Sequence, residues 1–182
     1  MTDNFEARIK ELEEQVATLK ANAPEDKLSM VVMSGDLDKL LAAFIIANGG
    51  AAMFESVTMF FTFWATPALR DPKKFPKGKD FMASMFGWML PKGSKATKLS
   101  KMNICGMGTA MMKNLMKKKG ILQLEELIQK AGENGVKIYV CEMSMDLMGM
   151  KKEELIDYPN LKLAGVATFL GEAGTSKSSL FI

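Results

Sequence analysis

The sequence predicts an α/β fold, an open and mostly parallel sheet with helices on both faces, preceded by an N-terminal amphipathic helix. Short runs rich in Val, Ile, Phe and Thr, typical of buried strands, alternate with amphipathic stretches of helical length. The first of these runs leads through a Gly turn into an apolar helix, which is the first half of a βαβ unit. A chain of 182 residues with 48% apolar residues has room for one domain and an appendage. We expect a helix and linker over residues 1–24 and the α/β domain over 25–182.

The first element is the amphipathic helix. Its apolar residues follow the alternating four-and-three spacing of a coiled-coil seam: Phe5, Ile9, Leu12, Val16 and Leu19. The helix ends before Pro24. About two heptads are marginal alone, so the helix is expected either to pair with a copy of itself or to pack on its own domain. The pattern leaves both open.

The α/β domain begins with a buried strand over 27–33. Ser34-Gly35-Asp36 then turns into a helix over 37–48, with Ser34 or Asp36 as its N-cap. Residues 56–64 are predicted to form a second buried parallel strand. The apolar stretch 40–65 is long enough to cross a bilayer, but the Asn-Gly-Gly run at 48–50 and a glutamate at 55 divide it into a helix and a strand.

Residues 66–98 are interpreted as an insertion, because they hold four prolines and two Lys-rich stretches. The apolar and aromatic segment Phe81–Leu90 lies between the lysines and is expected to be helical. Such a helix can serve as a lid, as a partner-docking surface or as a peripheral membrane anchor, or can simply pack on protein.

After residue 98 the sequence again predicts alternating helices and strands. We expect helices over 107–118 and 122–131, a strand over 135–140 that ends at Cys141, a mostly helical stretch over 145–157, a strand over 161–165, a helix over 166–173 and a last strand over 178–182.

Composition excludes several functional classes. The chain has no histidine, which removes Ser-His-Asp and Cys-His catalytic pairs and His-metal sites. A net charge of only +3 gives no reason to expect nucleic acid as a partner. The two cysteines and the absence of a basic, apolar leader indicate the reducing cytoplasm and thiol chemistry rather than a disulfide framework.

Cys105 lies directly ahead of a predicted helix, where backbone N–H groups and the helix dipole stabilise a thiolate. The glycines of the following segment, Gly106-Met107-Gly108-Thr109, leave its sulfur approachable. Cys141 follows a strand at its carboxyl end, the edge where open α/β sheets bind ligands. The two thiols can act together as attacker and resolver or be two unrelated buried cysteines, and the sequence does not fix their separation.

Methionines surround the cysteines. Met143 and its neighbours after Cys141 admit a Cu(I) interpretation, since thioether and thiolate ligands favour Cu(I). Methionine is equally a filler of cores and of adaptable interfaces, and no phosphate loop or dinucleotide motif is present. We therefore expect no metal and no cofactor.

The sequence resembles the DsrE/DsrF-like superfamily, and within it the single-chain DsrE-like sulfur carriers often labelled as peroxiredoxin-family proteins. The matching motifs are Ser34-Gly35-Asp36-Leu37-Asp38-Lys39, Phe60-Phe61-Thr62-Phe63-Trp64, Cys105-Gly106-Met107-Gly108-Thr109, Cys141-Glu142-Met143-Ser144-Met145-Asp146 and Leu180-Phe181-Ile182. Together they span residues 27–182 and leave the N-terminal helix outside.

This resemblance implies an open α/β sheet, a homo-oligomer and a carrier of sulfane sulfur as a cysteine persulfide. It implies exchange with rhodanese-like or TusA-like proteins, in the manner of a sulfurtransferase, with Cys105 and Cys141 at the reacting positions. We expect substrate or partner contacts from Ser34, Gly35, Asp36, Met143 and the 106–109 segment. The alternative is a non-catalytic oligomeric module that binds a partner or a membrane surface and has structural thiols.

Overall fold

Five parallel strands form a single sheet in the order β4-β3-β2-β1-β5. The computed structural model describes residues 2–74 and 81–182. The strands are β1 (Glu25–Val32), β2 (Ser56–Phe61), β3 (Lys137–Cys141), β4 (Leu161–Ala164) and β5 (Ser176–Phe181). The helices are α1 (Thr2–Ala21), α2 (Leu37–Gly50), α3 (Phe81–Met89), α4 (Met107–Lys118), α5 (Leu124–Glu133), α6 (Glu142–Leu147) and α7 (Val166–Thr175).

The register brings the carboxyl ends of the strands to one edge. Val32 at the end of β1 pairs with Phe61 at the end of β2, and Cys141 at the end of β3 pairs with Ala164 of β4. The chain moves outward from β1 to β4 and then returns, so that β5 pairs with the other side of β1. Loops after the strands therefore gather at this carboxyl edge, where ligands of such sheets bind.

Helices cover both faces of the sheet, as predicted. On one face α2 and α5 pack against the alternate strand residues Phe61, Ile138 and Val140. On the other face Phe169 of α7 joins a smaller cluster with Phe60, Tyr139, Cys141 and Ala164. The rings of Phe60 and Phe169 stack at a centroid distance of 4.9 Å and an interplanar angle of 18°.

The apolar stretch 40–65 is divided as predicted, since α2 ends at Gly50 and β2 begins at Ser56. None of the helices described here has the length and apolar character needed to cross a membrane.

The predicted second strand is too long, since β2 stops at Phe61 rather than at Trp64. Phe63 takes a left-handed φ of 42° and starts a short 3₁₀ helix, Phe63–Leu69. Residues 65–69 are buried. The first part of the segment interpreted as an insertion over 66–98 is therefore part of the core. Part of that segment, 75–80, lies outside the described residues.

The expectation of a mostly helical stretch over 145–157 is wrong. Helix α6 ends at Leu147, Gly149 takes a φ of 60°, and only a short 3₁₀ helix follows at Lys152–Glu154. The chain turns here because the buried carboxylate of Glu154 forms an ion pair with buried Arg70, at 2.8 Å. The guanidinium of Arg70 also donates a hydrogen bond to the carbonyl of Gly87. A buried charge is kept only with such a partner.

Candidate functional site

Cys105 lies in a tight turn, Ile104–Gly106, at the head of α4. The helix begins at Met107, as the sequence predicts, with Gly106 as its N-cap at a φ of 86°. Cys105 itself has a φ of 49°, a left-handed conformation that non-glycine residues adopt rarely and at a cost. Its side chain is exposed. The turn thus presents a free thiol to solvent.

The segment before this turn is attached to the amino end of α2. The backbone N–H and the hydroxyl of Ser100 donate to the two carboxylate oxygens of Asp38, at 2.8 and 2.7 Å. The backbone N–H of Leu37 donates to the carbonyl of Lys98 at 2.8 Å. Since α2 starts directly after β1, these bonds hold the approach to Cys105 beside the carboxyl edge of the sheet.

The first turn of α4 is hydrogen-bonded to the segment that precedes it. The hydroxyl of Thr109 accepts from the backbone N–H of Leu99 at 3.0 Å and donates to the side-chain oxygen of Asn103 at 2.9 Å. Gly108 packs so closely on the carbonyl of Met102 that a Cβ would overlap that oxygen. We call residues 99–109 the Cys105 loop. Its backbone is fixed by these bonds while the thiol stays exposed.

The carboxylate of Asp38 that accepts the bonds from Ser100 has a lowered pKa. Burial by itself raises the pKa of Asp38, but the two hydrogen bonds from Ser100, a bond from its own backbone N–H and the charge of Lys39 together hold the pKa below its ordinary value. The carboxylate is therefore the form that anchors the Cys105 loop.

Cys141 has a different environment. It ends β3 and is the N-cap residue of α6, and only 4% of its surface is exposed. Its carbonyl accepts a hydrogen bond from the hydroxyl of Ser144 at 3.0 Å. Its side chain belongs to the cluster on the α7 face of the sheet, whereas the Cys105 loop is bonded to α2, which covers the opposite face. Both thiols are free.

The predicted Ser34-Gly35-Asp36 turn lines a cleft of about 630 Å³ at the carboxyl edge. Asp36 is the N-cap residue of α2, as expected, but its carboxylate makes no capping bond and accepts instead from the hydroxyl of Ser34 at 2.9 Å. Gly35 lies against the carbonyl of Trp64, which leaves no room for a Cβ. The glycine of this motif is thus required by the close approach of the 3₁₀ helix that follows β2.

The cleft also contains residues that sequence reasoning missed. Trp64, Trp88 and Lys98 line it, together with Met89 to Lys92. Trp88 belongs to α3, part of the predicted Phe81–Leu90 helix, and is largely exposed. The predicted buried strand over 56–64 included Trp64, whereas the chain turns at Phe63 and Trp64 is exposed. Membrane contact through α3 stays a prediction.

Exposed apolar side chains surround the thiol of Cys105 in sequence and continue along α4. They are Met102, Ile104, Met107, Met111 and Leu115. Lysines are interspersed at 101, 113 and 117–119. Met143, another predicted contact residue, is exposed on α6. An exposed apolar surface of this kind marks an interaction site.

A copper site is not favoured. Met145, Met148 and Met150 are buried in the main core, while Cys141 lies in the cluster on the other face, so these sulfur atoms do not share one cluster. Within residues 2–74 and 81–182, no group of three or more Cys, Asp or Glu side chains is arranged to hold a metal ion.

Comparison with known proteins now decides the family. The model of the DsrE/DsrF/DrsH-like family matches residues 24–181, nearly the whole α/β domain. The chain belongs to this family. The resemblance inferred from the sequence motifs is thereby confirmed, and α1 lies outside the matched range.

Two curated relatives extend over most of the chain. It is 47% identical over 156 residues to "Uncharacterized protein YrkE" of Bacillus subtilis, covering 86% of this chain and 96% of that protein. It is 35% identical over 161 residues to "Sulfur carrier protein DsrE2" of Allochromatium vinosum, covering 87% of this chain and 99% of that protein.

A solved structure shares the fold. The crystal structure of the ychN protein from E. coli matches with a TM-score of 0.50 over 86% of this chain and 99% of its own, at 10% sequence identity. The predicted fold class is confirmed by this similarity and by the five-stranded parallel sheet.

Proposed function

We propose that the protein is a sulfur carrier that holds sulfane sulfur as a persulfide on Cys105 and exchanges it with partner proteins. Family membership and the relative named as a sulfur carrier support a role in sulfur transfer. The observation that carries the assignment to Cys105 is its exposure at the head of α4, on a loop that hydrogen bonds hold in place. We propose cytoplasmic action, because the chemistry needs free thiols.

The transfer is a thiol–persulfide exchange. The Cys105 thiolate attacks the outer sulfur of a donor persulfide, a new S–S bond forms at Cys105, and the donor's S–S bond breaks. The donor cysteine leaves as a thiolate, so no electron is gained or lost. An acceptor thiolate then attacks the outer sulfur on Cys105 in the same way. The step requires a thiolate and access rather than a general base, in agreement with a chain that has no histidine.

The surface around Cys105 fits exchange between proteins. A donor persulfide carried on another protein must bring its own loop to the Cys105 sulfur, which needs an exposed acceptor and an adaptable surface around it. The methionines at 102, 107 and 111 are flexible apolar side chains of the kind used at adaptable interfaces. We propose rhodanese-like or TusA-like partners here, with the Ser34–Asp36 cleft as a neighbouring contact.

Cys141 has a supporting role in this proposal. A thiol with 4% exposure, in one apolar cluster with Phe169 of α7, does not meet a partner's persulfide without opening of the α7 face. We assign loading to Cys105 and treat Cys141 as a core residue that positions the start of α6.

Intact mass spectrometry tests the proposal. The reduced protein is exposed briefly and anaerobically to polysulfide, beside the variants Cys105→Ser and Cys141→Ser. We expect the wild-type protein and Cys141→Ser to gain the mass of sulfur atoms, released by reductant, and Cys105→Ser to gain none. Equal loading of Cys105→Ser would contradict the assignment.

The exposed apolar surface also suits the alternative, a module that binds a partner without chemistry. This alternative predicts that sulfur added to the exposed Cys105 is not passed to a partner's thiol, and that both cysteine variants bind the partner as the wild-type protein does. Transfer of sulfur from the loaded protein to an acceptor protein, followed by mass spectrometry, therefore separates the two functions.

A further inference from the structure

Helix α1 offers an apolar stripe that no part of its own chain covers among the residues that the structure describes. Its residues Phe5, Ile9, Leu12, Val16 and Leu19 are between 45% and 71% exposed. The side-chain hydrogen bonds of α1 among the described residues stay within the helix: Arg8 to Glu11, Gln15 to Glu11 and Thr18 to the carbonyl of residue 14. Packing on the chain's own domain, one of the two alternatives for this helix, is therefore not what the structure shows.

The stripe has a definite heptad register. Spacings of four and three place Ile9 and Val16 at position a, and Leu12 and Leu19 at position d, with Phe5 at the d position before them. In parallel coiled coils, β-branched residues at a with leucine at d favour two helices over three or four. The core residues thus specify two helices when the helices run parallel.

Charges beside the seam agree with that direction. Arg8 falls at position g and Glu13 at the following position e, which face each other across a parallel, in-register pair. In a two-fold symmetric pair the Arg8–Glu13 contact forms twice. The next pair of g and e positions holds Gln15 and Lys20, which are polar and do not repel each other. An antiparallel pair loses both Arg8–Glu13 contacts and brings two Glu13 carboxylates to the same side of the seam.

We propose that α1 forms a parallel two-stranded coiled coil with α1 of a second copy of this chain. The helix ends at Ala21, shortly before β1 begins at Glu25, so it leaves the sheet at its amino edge. The Cys105 loop is bonded at the carboxyl edge. Pairing through α1 therefore leaves the thiol of each copy open to a partner, and this inference does not depend on the function proposed above.

Cross-linking tests the helix pairing directly. Leu19→Cys is made in the full chain that also carries Cys105→Ser and Cys141→Ser, so that one thiol remains. At position d of a parallel, in-register pair, the two introduced sulfur atoms meet, and added oxidised glutathione converts the two thiols to a disulfide-linked dimer by thiol–disulfide exchange. Lys10→Cys, on the outer face at position b, is the matched control. Cross-linking of Leu19→Cys no greater than that of the control would overturn the proposal.

A charge exchange tests the register. Arg8→Glu replaces two attractive contacts by two repulsive ones and is expected to weaken self-association by about tenfold in sedimentation equilibrium. Adding Glu13→Arg restores the complementary charges across the seam and is expected to recover most of the lost affinity, while the Arg8–Glu11 bond within the helix stays lost. Lys10→Glu makes the same change in net charge away from the seam, so it reports the cost of repulsion within the helix and is expected to weaken association less than Arg8→Glu does. Failure of Glu13→Arg to rescue Arg8→Glu would contradict this register.

Discussion

Cys105 and Cys141 occupy similar places in the sequence and very different places in the structure. Each lies at the start of a helix and near the carboxyl edge of the sheet. Cys105 is exposed in a turn with two successive left-handed residues, whereas Cys141 is buried on an extended strand end beside Phe60 and Phe169. A position at a helix start does not by itself make a thiol available, because the packing around the position decides access.

The largest expected difference between the two thiols is their rate of alkylation. With a small neutral reagent in native buffer, we expect Cys105 to react about a thousandfold faster than Cys141 or more, since Cys141 reacts only through opening of the α7 face. Peptide mapping after timed quenching gives both rates. Comparable rates in the folded protein would remove the distinction, and comparable rates in urea serve as the control.

Truncation of Phe169, which lies in the same apolar cluster as Cys141, is expected to have the next largest effect on stability and on alkylation of Cys141. Phe169→Ala removes the ring stacked on Phe60 and is expected to lower the free energy of unfolding by about 3–5 kcal/mol. It should also speed alkylation of Cys141 and leave Cys105 unchanged. Leu170→Ala, at an exposed position of the same helix, is the control and should change neither quantity. Faster alkylation of Cys105 in Phe169→Ala would show that the two sites are coupled.

Two glycines beside Cys105 provide a matched pair. Alanine at Gly108 overlaps the carbonyl of Met102, so the Cys105 loop must shift, while alanine at Gly106 meets no atom but must hold a φ of 86°. The second change costs about 1–2 kcal/mol. We expect slower sulfur loading in Gly108→Ala than in Gly106→Ala, followed by mass spectrometry. A loading rate lowered more by Gly106→Ala would mean that the contact with Met102 does not position the thiol.

The smallest expected effect concerns Asp38. Its folded-state pKa is depressed, so its contribution to stability is present above its unfolded pKa of about 3.9 and is lost as the pH falls through the lower folded value. Asp38→Asn removes the charge from the bonds to Ser100 and is expected to cost about 1 kcal/mol near neutral pH. Hydrogen exchange at the amide of Ser100 should become faster in the variant and lose its dependence on acid pH.

Asp36→Asn is the control for this substitution, because Asp36 bonds Ser34 rather than the Cys105 loop. Unchanged protection of the Ser100 amide in Asp38→Asn would show that Asp38 does not anchor the loop.

Most of the framework follows from local patterns in the sequence. Short apolar runs identified all five strands, and α4 has the bounds that its periodicity predicts. The errors lie where distant partners determine the structure. The buried pair of Arg70 with Glu154 joins residues 84 positions apart and, with the left-handed Gly149, replaces a predicted helix by turns. No local pattern contains that pairing.

The candidate site was predictable in part for the same reason. Cys105 and its glycines form one short segment of the sequence, and Ser34-Gly35-Asp36 forms another. Each was recognisable as a motif. Cys141 is buried in a cluster that includes Phe60 and Phe169, and the cleft is lined by Trp64 and Trp88 from separate elements. Those contacts form only when the sheet and its flanking helices are assembled.

Site-resolved mapping of the loaded wild-type protein tests the central claim most directly. The folded protein is loaded from a protein persulfide donor, trapped with an alkylating reagent while still native, digested without reductant and mapped by mass spectrometry. We predict the additional sulfur on the peptide that contains Cys105, with the Cys141 peptide recovered unmodified. Additional sulfur on Cys141, with Cys105 unloaded, would contradict the account.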